Sequence, residues 1–223
     1  TKDVENIIIG KNGIINNLQT GSIVIDLSTI SPEGTRHIND RLRVRKSYLI
    51  DAPVSGGEAG AISGKLSIMV GGDKSAYIKI KYILSILGNK ITYLGKSGSG
   101  QVCKACNQIL VAQAIQSISE IITIAKKSDI NPTIIREALL AGYANSKILE
   151  VHGKRMIDSD YKPGFKLSLH HKDLKIAKSL TKNMGLNLRG LNEVQKAMRS
   201  AEKEGLSEFD SSVIHTILEK TYK

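Results

Sequence analysis

The first hundred residues alternate short apolar runs with amphipathic stretches. Residues 22–27 form a compact apolar run between a glycine and a serine, and comparable runs recur three more times. Short, bounded runs of this kind are typical of buried strands. The predicted strands are residues 22–27, 48–52, 66–70 and 91–94. Because strands and helices alternate here, the sequence predicts an α/β layer on a parallel or mixed sheet.

The helical stretches begin at recognisable capping residues. Ser31 precedes Pro32, Asp73 precedes an amphipathic stretch, and Asn131 precedes Pro132. A short polar side chain before the first turn, with proline at the first helical position, favours a helix start. The predicted helices are residues 32–46, 73–87, 102–127, 132–142, 146–156, 167–184, 191–203 and 211–220.

The pattern changes near residues 97–100, after which no strand is predicted. Residues 102–127 contain neither glycine nor proline, and a helix of that length spans about 39 Å. We therefore predict two domains, residues 1–98 and residues 99–223. The first carries the α/β layer and the second is an all-α domain, and the long helix joins them.

Charge and apolar content narrow the possible partners. The formal net charge is +11, which permits nucleic-acid binding, but the basic residues are spread out and aromatic residues make up only 4%. No apolar run approaches the roughly 20 residues that a membrane span requires, and the acidic start is unlike a signal peptide. We predict a cytoplasmic protein that binds neither nucleic acid nor membrane.

Cysteine and histidine positions do not have metal-ligand spacing. Cys103 and Cys106 form a CxxC inside a helical stretch, without a second cysteine pair. Zinc binding and dithiol redox chemistry are therefore not predicted, and burial as small apolar side chains is the expectation. His170 and His171 are adjacent but lack a nearby third ligand, so we predict no metal site.

A turn rich in small residues follows the second predicted strand. It contains Ser55, Gly56 and Gly57, and a further pair, Gly71 and Gly72, follows the third strand. Exposed backbone N–H groups and a hydroxyl at a strand end suit a carboxylate, because glycine lets the backbone approach closely. A tight turn without a ligand is the alternative.

A second glycine-rich turn, residues 95–100, precedes Lys104. It does not match a P-loop, because Gln101 and Val102 stand where lysine and serine or threonine are required. Lys104, Asn107 and Gln108 share one face of the following helix. One cation and two amides on a face suit a hydroxy acid and one proton transfer. The alternative is a solvated helix face.

These motifs, in this order, resemble the β-hydroxyacid dehydrogenases, a family that includes 3-hydroxyisobutyrate dehydrogenase and 6-phosphogluconate dehydrogenase. The resemblance rests on DAPVSGG, GxGxxxKxxNQ, KDL, and the segment DLSTISP at residues 26–32. It implies an oxidoreductase with Lys104 as catalytic residue, in which residues 1–98 are part of a Rossmann-type dinucleotide-binding domain. It also implies substrate contacts from Ser55, Gly56, Gly57, Asn107 and Gln108, and cofactor contacts from Thr29, Phe165, Lys172 and Asp173.

The stretches 142–153 and 162–165 resemble one subgroup, the tartronate semialdehyde reductases. The expected reaction is reduction of tartronate semialdehyde to glycerate by NADH or NADPH, with Lys104 as general acid. Dehydrogenation of 3-hydroxyisobutyrate or reduction of succinic semialdehyde on the same scaffold is an alternative. A non-catalytic, nucleic-acid-associated relative is an alternative of another class.

Family members begin with a strand, a GxGxxG turn and a helix, and no such segment precedes Asp26. We expect that roughly 65 residues lie upstream, which is the length of two βαβ-type units of ~30 residues each. The turn supports the pyrophosphate and the residues after it distinguish NAD from NADP. The chain as given is therefore expected to bind cofactor weakly and to show little activity. The apolar helical half predicts a homodimer or homotetramer.

Overall fold

The computed structural model describes residues 1–222, which divide into two units, residues 1–107 and the residues from Gln108 onward. The first unit contains a five-stranded mixed sheet. The strands are β1 (Ile23–Asp26), β2 (Tyr48–Asp51), β3 (Val54–Ser55), β4 (Ser67–Gly72) and β5 (Lys90–Gly95). β1 is parallel to β2, β4 is antiparallel to both β2 and β3, and β5 is parallel to β4.

All four predicted strands are confirmed, and β3 is an addition. β2 and β3 run along the same edge of β4 and are separated by Ala52 and Pro53. Pro53 has no backbone N–H to donate, but its carbonyl accepts the Met69 N–H at 3.0 Å. The polypeptide thus continues along β4 with one interruption, which places Ser55 at the end of β3.

Four α-helices precede β5 in the chain, and two of them begin at a predicted capping residue. The Ser31 hydroxyl accepts the Gly34 N–H at 3.0 Å, and the Asp73 carboxylate accepts the N–H groups of Ser75 and Ala76. Such caps satisfy N–H groups that have no partner within the helix. The helices are α1 (Lys2–Ile9), α2 (Pro32–Val44), α3 (Gly57–Ile62) and α4 (Lys74–Leu87).

The two faces of the sheet bury separate apolar clusters. Tyr77, Ile80 and Leu84 of α4 pack with side chains of β2 and β4, whereas Ile38 and Leu42 of α2 pack with Leu49. A sheet covered on both faces explains why its strands read as continuous apolar runs. α1, which the sequence analysis did not predict, adds Ile8 to the second cluster.

Beyond β5, the described residues contain helices and turns, with one isolated bridge between Lys166 and Asp210. Asn131 and Ser146 cap the helices that begin at Pro132 and Lys147 through side-chain oxygens, as predicted for Asn131. The fold class, a Rossmann-type α/β region followed by a helical region, is confirmed. The helices are α5 (Ser99–Lys127), α6 (Pro132–Leu140), α7 (Lys147–Ile157), α8 (Leu167–Asn183), α9 (Arg189–Lys203) and α10 (Ile214–Thr221).

One prediction about the cysteines is wrong. Cys106 is exposed and Cys103 is half-buried, so neither is a core side chain. The reason is their position on α5, where residues 103 and 106 flank the buried side chains of Lys104 and Ala105. Burial of a thiol follows the face of the helix it occupies and not its residue type alone.

Within residues 1–222, α5 is the one helix long and apolar enough, by length and composition alone, to cross a membrane. Core helices of globular proteins pass the same test, and α5 carries buried polar side chains at Gln101, Lys104 and Gln108. We therefore interpret α5 as a core helix. The expected absence of a membrane partner stays a prediction.

Candidate active site

Thr29 lies in the loop between β1 and α2, at the carboxyl end of β1. The loop is held from both sides, since the Asp26 carboxylate accepts the Ser28 N–H at 2.9 Å and the Thr1 hydroxyl accepts the Ser31 N–H at 3.1 Å. Thr29 itself is half-buried. A hydroxyl at the carboxyl end of a strand occupies the position where ligands of α/β sheets bind.

Ser55, Gly56 and Gly57 form the turn from β3 into α3. Ser55 is half-buried, and the two glycines are exposed, with φ of 137° and 62°. Gly57 adopts a left-handed conformation, and a Cβ there would meet no atom within 4 Å. The turn therefore leaves open space beside its backbone, as a carboxylate clamp requires. The predicted substrate contacts themselves stay a prediction.

Asp51, at the end of β2, holds the start of α5. Its side chain is fully buried, and its carboxylate accepts the N–H groups of Gly98 at 2.9 Å and Gln101 at 3.2 Å. Burial raises the pKa of Asp51, and these backbone hydrogen bonds oppose the increase. Since the carboxylate satisfies N–H groups at a helix N-terminus, it fixes the position of the first turn of α5 relative to the sheet.

Two glycines of the predicted motifs serve this contact. A Cβ at Gly71 would lie 2.7 Å from Oδ2 of Asp51, and a Cβ at Gly100 would lie 2.8 Å from the same oxygen. A Cβ at Gly100 would also collide with the Met69 carbonyl oxygen. These glycines therefore allow α5 to approach the sheet closely, which is a packing role.

Lys104 lies in the second turn of α5 and is only 7% exposed. Lysine is almost never buried to this extent unless it has a partner, and a cation gains nothing from the positive end of a helix. A solvated helix face is therefore the wrong interpretation for Lys104, and also for Gln108, which is 4% exposed. Asn107 is half-buried on the same face.

In the second unit, Gln108 joins the predicted cofactor residues of α8. Its Nε2 donates to Oδ2 of buried Asp173 at 2.7 Å, and Nζ of exposed Lys172 lies 3.0 Å from Oδ1 of Asp173. The backbone carbonyl oxygen of Gln108 lies 3.1 Å from Nε2 of buried His170. The ring centroid of His170 is 5.4 Å from that of Phe165. One N–H of the Gln108 amide is thus committed to Asp173. The structure brings four of the predicted residues into one cluster: Gln108, Phe165, Lys172 and Asp173.

Asp210 fixes the loop that carries Phe165. Its buried carboxylate accepts the N–H groups of Gly164 at 3.2 Å and Phe165 at 3.1 Å, as well as the Ser212 hydroxyl at 2.6 Å. Nδ1 of His152 lies 3.3 Å away. Burial alone would raise the pKa of Asp210, but the side chains of His152 and Ser212 and the backbone N–H groups together hold it well below its usual range.

The sequence analysis missed three residues that position this site: Asp51, Gln101 and Asp210. Asp51 ends an apolar strand run, and an acid there is a readable signal of a buried, hydrogen-bonded carboxylate. Gln101 and Asp210 carry no comparable signal. Their partners lie about 70 and 45 residues away along the chain, beyond the reach of any local pattern.

The donor types suit a nicotinamide dinucleotide. Thr29 offers a hydroxyl at a strand end, and Lys172 offers an exposed cation for an anionic group. The same residues do not suit a metal ion. Among residues 1–222, no group of three or more His, Cys, Asp and Glu side chains is arranged to hold one.

Comparisons with known proteins agree with this interpretation. Residues 1–95 match the family model for the NAD-binding domain of 6-phosphogluconate dehydrogenase. Residues 98–218 match the model for the NAD-binding region of NADP-dependent 3-hydroxyisobutyrate dehydrogenase. The chain is 41% identical to 2-hydroxy-3-oxopropionate reductase of Escherichia coli, over 98% of the chain and 75% of that protein.

A more distant relative and a solved structure extend the comparison. A probable 3-hydroxyisobutyrate dehydrogenase-like mitochondrial protein of Arabidopsis thaliana is 32% identical over 98% of the chain and 65% of its own length. The crystal structure of 3-hydroxyisobutyrate dehydrogenase from Salmonella typhimurium has the same fold, with a TM-score of 0.87 and 24% identity over 97% of this chain and 75% of that one. With its motifs in order and both family models matched, the chain belongs to the β-hydroxyacid dehydrogenases, which are NAD(P)-dependent oxidoreductases.

Proposed function

We propose that the protein reduces tartronate semialdehyde (2-hydroxy-3-oxopropionate) to glycerate, using NADH or NADPH. The observation that carries the proposal is the buried Lys104 in the second turn of α5, a helix whose start is fixed by Asp51. The 41% identity to a reductase of this substrate supports the choice of aldehyde. The proposal extends to a cytoplasmic location and to an assembly of two or four copies.

Lys104 acts as the general acid. When bound, a reduced nicotinamide would supply the hydride for the carbonyl carbon, and the charge to be neutralised is that on the carbonyl oxygen. The Lys104 ammonium donates a proton to that oxygen, which completes the hydroxyl of glycerate. Because Asp51 fixes the first turn of α5, Lys104 is already positioned before each turnover.

The turn between β3 and α3 binds the substrate carboxylate. The Ser55 hydroxyl and the backbone N–H groups of Gly56 and Gly57 are hydrogen-bond donors, and the space beside Gly57 is open. Asn107 and Gln108, one helical turn beyond Lys104, contribute amides to the substrate hydroxyl. Gln108 combines this role with its hydrogen bond to Asp173.

The proposed cofactor contacts are Thr29, Phe165, Lys172 and Asp173. Thr29 contacts the nicotinamide end. Asp173, which is buried, orients Lys172 through the 3.0 Å ion pair. These roles are carried over from the family motifs residue by residue.

A substrate panel tests the proposal. The full-length protein is assayed with tartronate semialdehyde, succinic semialdehyde and 3-hydroxyisobutyrate, each with both nicotinamide cofactors, by the change in reduced-cofactor absorbance. We expect the highest kcat/KM for tartronate semialdehyde. A higher kcat/KM for another acid would replace the substrate but keep the reaction, whereas no turnover of any of the three, together with DNA binding at physiological salt, would favour the nucleic-acid-associated alternative.

A further inference from the structure

The side chain of Gln101 forms hydrogen bonds to the backbone on both sides of Thr29. Its Nε2 donates to the Ser28 carbonyl at 2.8 Å, and its Oε1 accepts the Ile30 N–H at 3.1 Å. Gln101 is only 1% exposed. Two hydrogen bonds from one amide therefore fix the backbone immediately before and immediately after Thr29, in a loop that is also bonded by the side chains of Asp26 and Thr1.

The backbone of Gln101 is fixed as well. Its N–H donates to Oδ2 of Asp51, whose other oxygen accepts the Gly98 N–H. A continuous path of hydrogen bonds thus runs from the end of β2, through the first turn of α5, to the loop after β1. Lys104 follows Gln101 by three residues on the same helix, so the two are near neighbours on its surface.

A neutral amide is required for this arrangement. Ser28 presents an acceptor and Ile30 presents a donor, so the side chain between them must offer one of each. Glutamate has nearly the same shape but, when ionised, places a second acceptor opposite the Ser28 carbonyl. Methionine has a similar length and forms neither hydrogen bond.

We propose that Gln101 is a positioning residue that holds the cofactor-contacting Thr29 loop at a fixed distance from the helix turn carrying the proton donor Lys104. Gln101 itself touches neither substrate nor cofactor. The proposal rests on the proposed function of Thr29 and Lys104. One side-chain amide thereby aligns the loop that contacts the cofactor with the lysine that donates the proton.

The kinetic test compares Gln101→Glu and Gln101→Met with the full-length wild-type protein. Gln116→Glu and Gln116→Met are the controls, because Gln116 lies on the same helix and donates at 2.8 Å to the exposed Glu120. Loss of one or two buried hydrogen bonds predicts a KM for the cofactor that is roughly tenfold higher and a kcat that is roughly tenfold lower. The KM for the aldehyde should stay within about twofold of the wild-type value.

A second measurement does not depend on catalysis. Hydrogen exchange of the Ile30 amide should be faster in Gln101→Met than in the wild type and unchanged in Gln116→Met. This readout separates the two claims: a wild-type protein without reductase activity refutes the proposed function, whereas the Ile30 exchange still tests the role of Gln101. Unchanged Ile30 exchange would overturn the positioning proposal. Equal increases in both KM values with a lowered melting temperature would also overturn it.

Discussion

Nε2 of Gln108 donates to Oδ2 of Asp173 across 2.7 Å, and both side chains are buried. The contact connects α5, which carries Lys104, to α8, which carries the KDL motif. Gln108 stands one turn after Lys104, and Asp173 directly follows Lys172. Two motifs that are separated by 65 residues in the chain therefore meet in one hydrogen bond.

Gln108→Glu tests the strength of this contact. The substitution places a second carboxylate beside the buried Asp173, and two like charges at that distance disfavour each other's ionised form. Because Lys172 still pairs with Asp173, we expect the free energy of unfolding at neutral pH to fall by about 3 kcal/mol, the upper end for one hydrogen bond to a charged group. The loss should shrink as the pH is lowered, because protonation of one carboxyl restores a donor between the pair.

Gln116→Glu is the matched control for that measurement. Gln116 also donates to an acid on the same helix, Glu120, but this pair is exposed. Like charges at positions i and i+4 on an exposed helix cost only about 0.2–0.5 kcal/mol. Urea unfolding at neutral and acidic pH provides the comparison. Equal losses in the two variants would mean that the Gln108–Asp173 pair is not buried as described.

Local chemistry predicted most of the secondary structure. Ser31, Asp73 and Asn131 each cap a helix through the side-chain oxygen that the sequence indicated. The predicted strands are continuous apolar runs because both faces of the sheet are covered. α3 was missed because Gly57 and Gly60 have low helix propensity.

The sequence indicated candidate catalytic and binding residues, but not the residues that hold them in position. The family motifs indicated Lys104 and the turn at Ser55, since their order and spacing are visible in the sequence. The sequence did not indicate that Gly100 packs against the Asp51 carboxylate, or that Gln101 bonds to the Thr29 loop. Both depend on contacts between residues about 50 to 70 positions apart, which only the folded chain brings together.

Asp210→Asn should loosen the loop that carries Phe165. Both carboxylate oxygens of Asp210 accept hydrogen bonds, whereas asparagine has one acceptor oxygen and an NH2 group that would face N–H donors. Hydrogen bonds to a charged group are worth about 1.5–3 kcal/mol. We expect a loss of stability of that order and faster hydrogen exchange of the Phe165 amide. Asp160→Asn, an exposed acid in the same segment, is the control.

The pH dependence of this effect has a definite sign. The pKa of Asp210 is lowered from the usual 3.8, so its stabilising effect is complete above that pH and is lost as the pH falls through the lowered pKa. Wild-type protein should therefore lose stability in strong acid more steeply than Asp210→Asn. Parallel acid-unfolding curves would contradict this account.

His215 predicts a second pH effect, at higher pH. Burial lowers the pKa of His215 from 6.5, and its ring contacts Ser119 at 2.9 Å and Glu219 at 3.2 Å, which also pairs with Lys126. The neutral ring is favoured in the folded state, so its stabilising effect is present above pH 6.5 and is lost as the pH falls. Urea unfolding from about pH 8 to about pH 5 should show this decline.

His215→Leu should flatten that decline, whatever its effect on absolute stability. His37→Leu, which replaces an exposed histidine, should leave the slope unchanged. If wild-type and His215→Leu proteins lose stability equally between those pH values, His215 does not titrate as the structure implies.

The exposed face of α5 predicts self-association. Ile118 and Ile122 are buried within one chain, but Leu110 and Ile124 on the same helix are 72% and 63% exposed. Fourteen residues, close to four helical turns, separate the exposed pair, so both lie on one side of the helix. We expect a second copy to cover this side, because a small helical unit has a limited interior.

Light scattering in moderate salt, which screens the +11 charge, measures the assembly. The wild-type protein should be a dimer or tetramer, and the double variant Leu110→Glu, Ile124→Glu should have a lower mass. Ile78→Glu changes an equally exposed isoleucine on α4 and should not alter the mass. A monomeric wild-type protein at micromolar concentration would refute the expectation.

Lys104→Met in the full-length protein is the most direct test of the proposed chemistry. Methionine keeps the length of the side chain and removes the proton that the developing alkoxide requires. We predict that kcat/KM for tartronate semialdehyde falls by at least about 10²-fold, the lower end for loss of a positioned general acid, with an unchanged melting temperature. Lys96→Met, the same change at an exposed lysine eight residues earlier, should retain wild-type turnover. A folded Lys104→Met protein with wild-type kcat/KM would contradict the assignment of Lys104 as the proton donor.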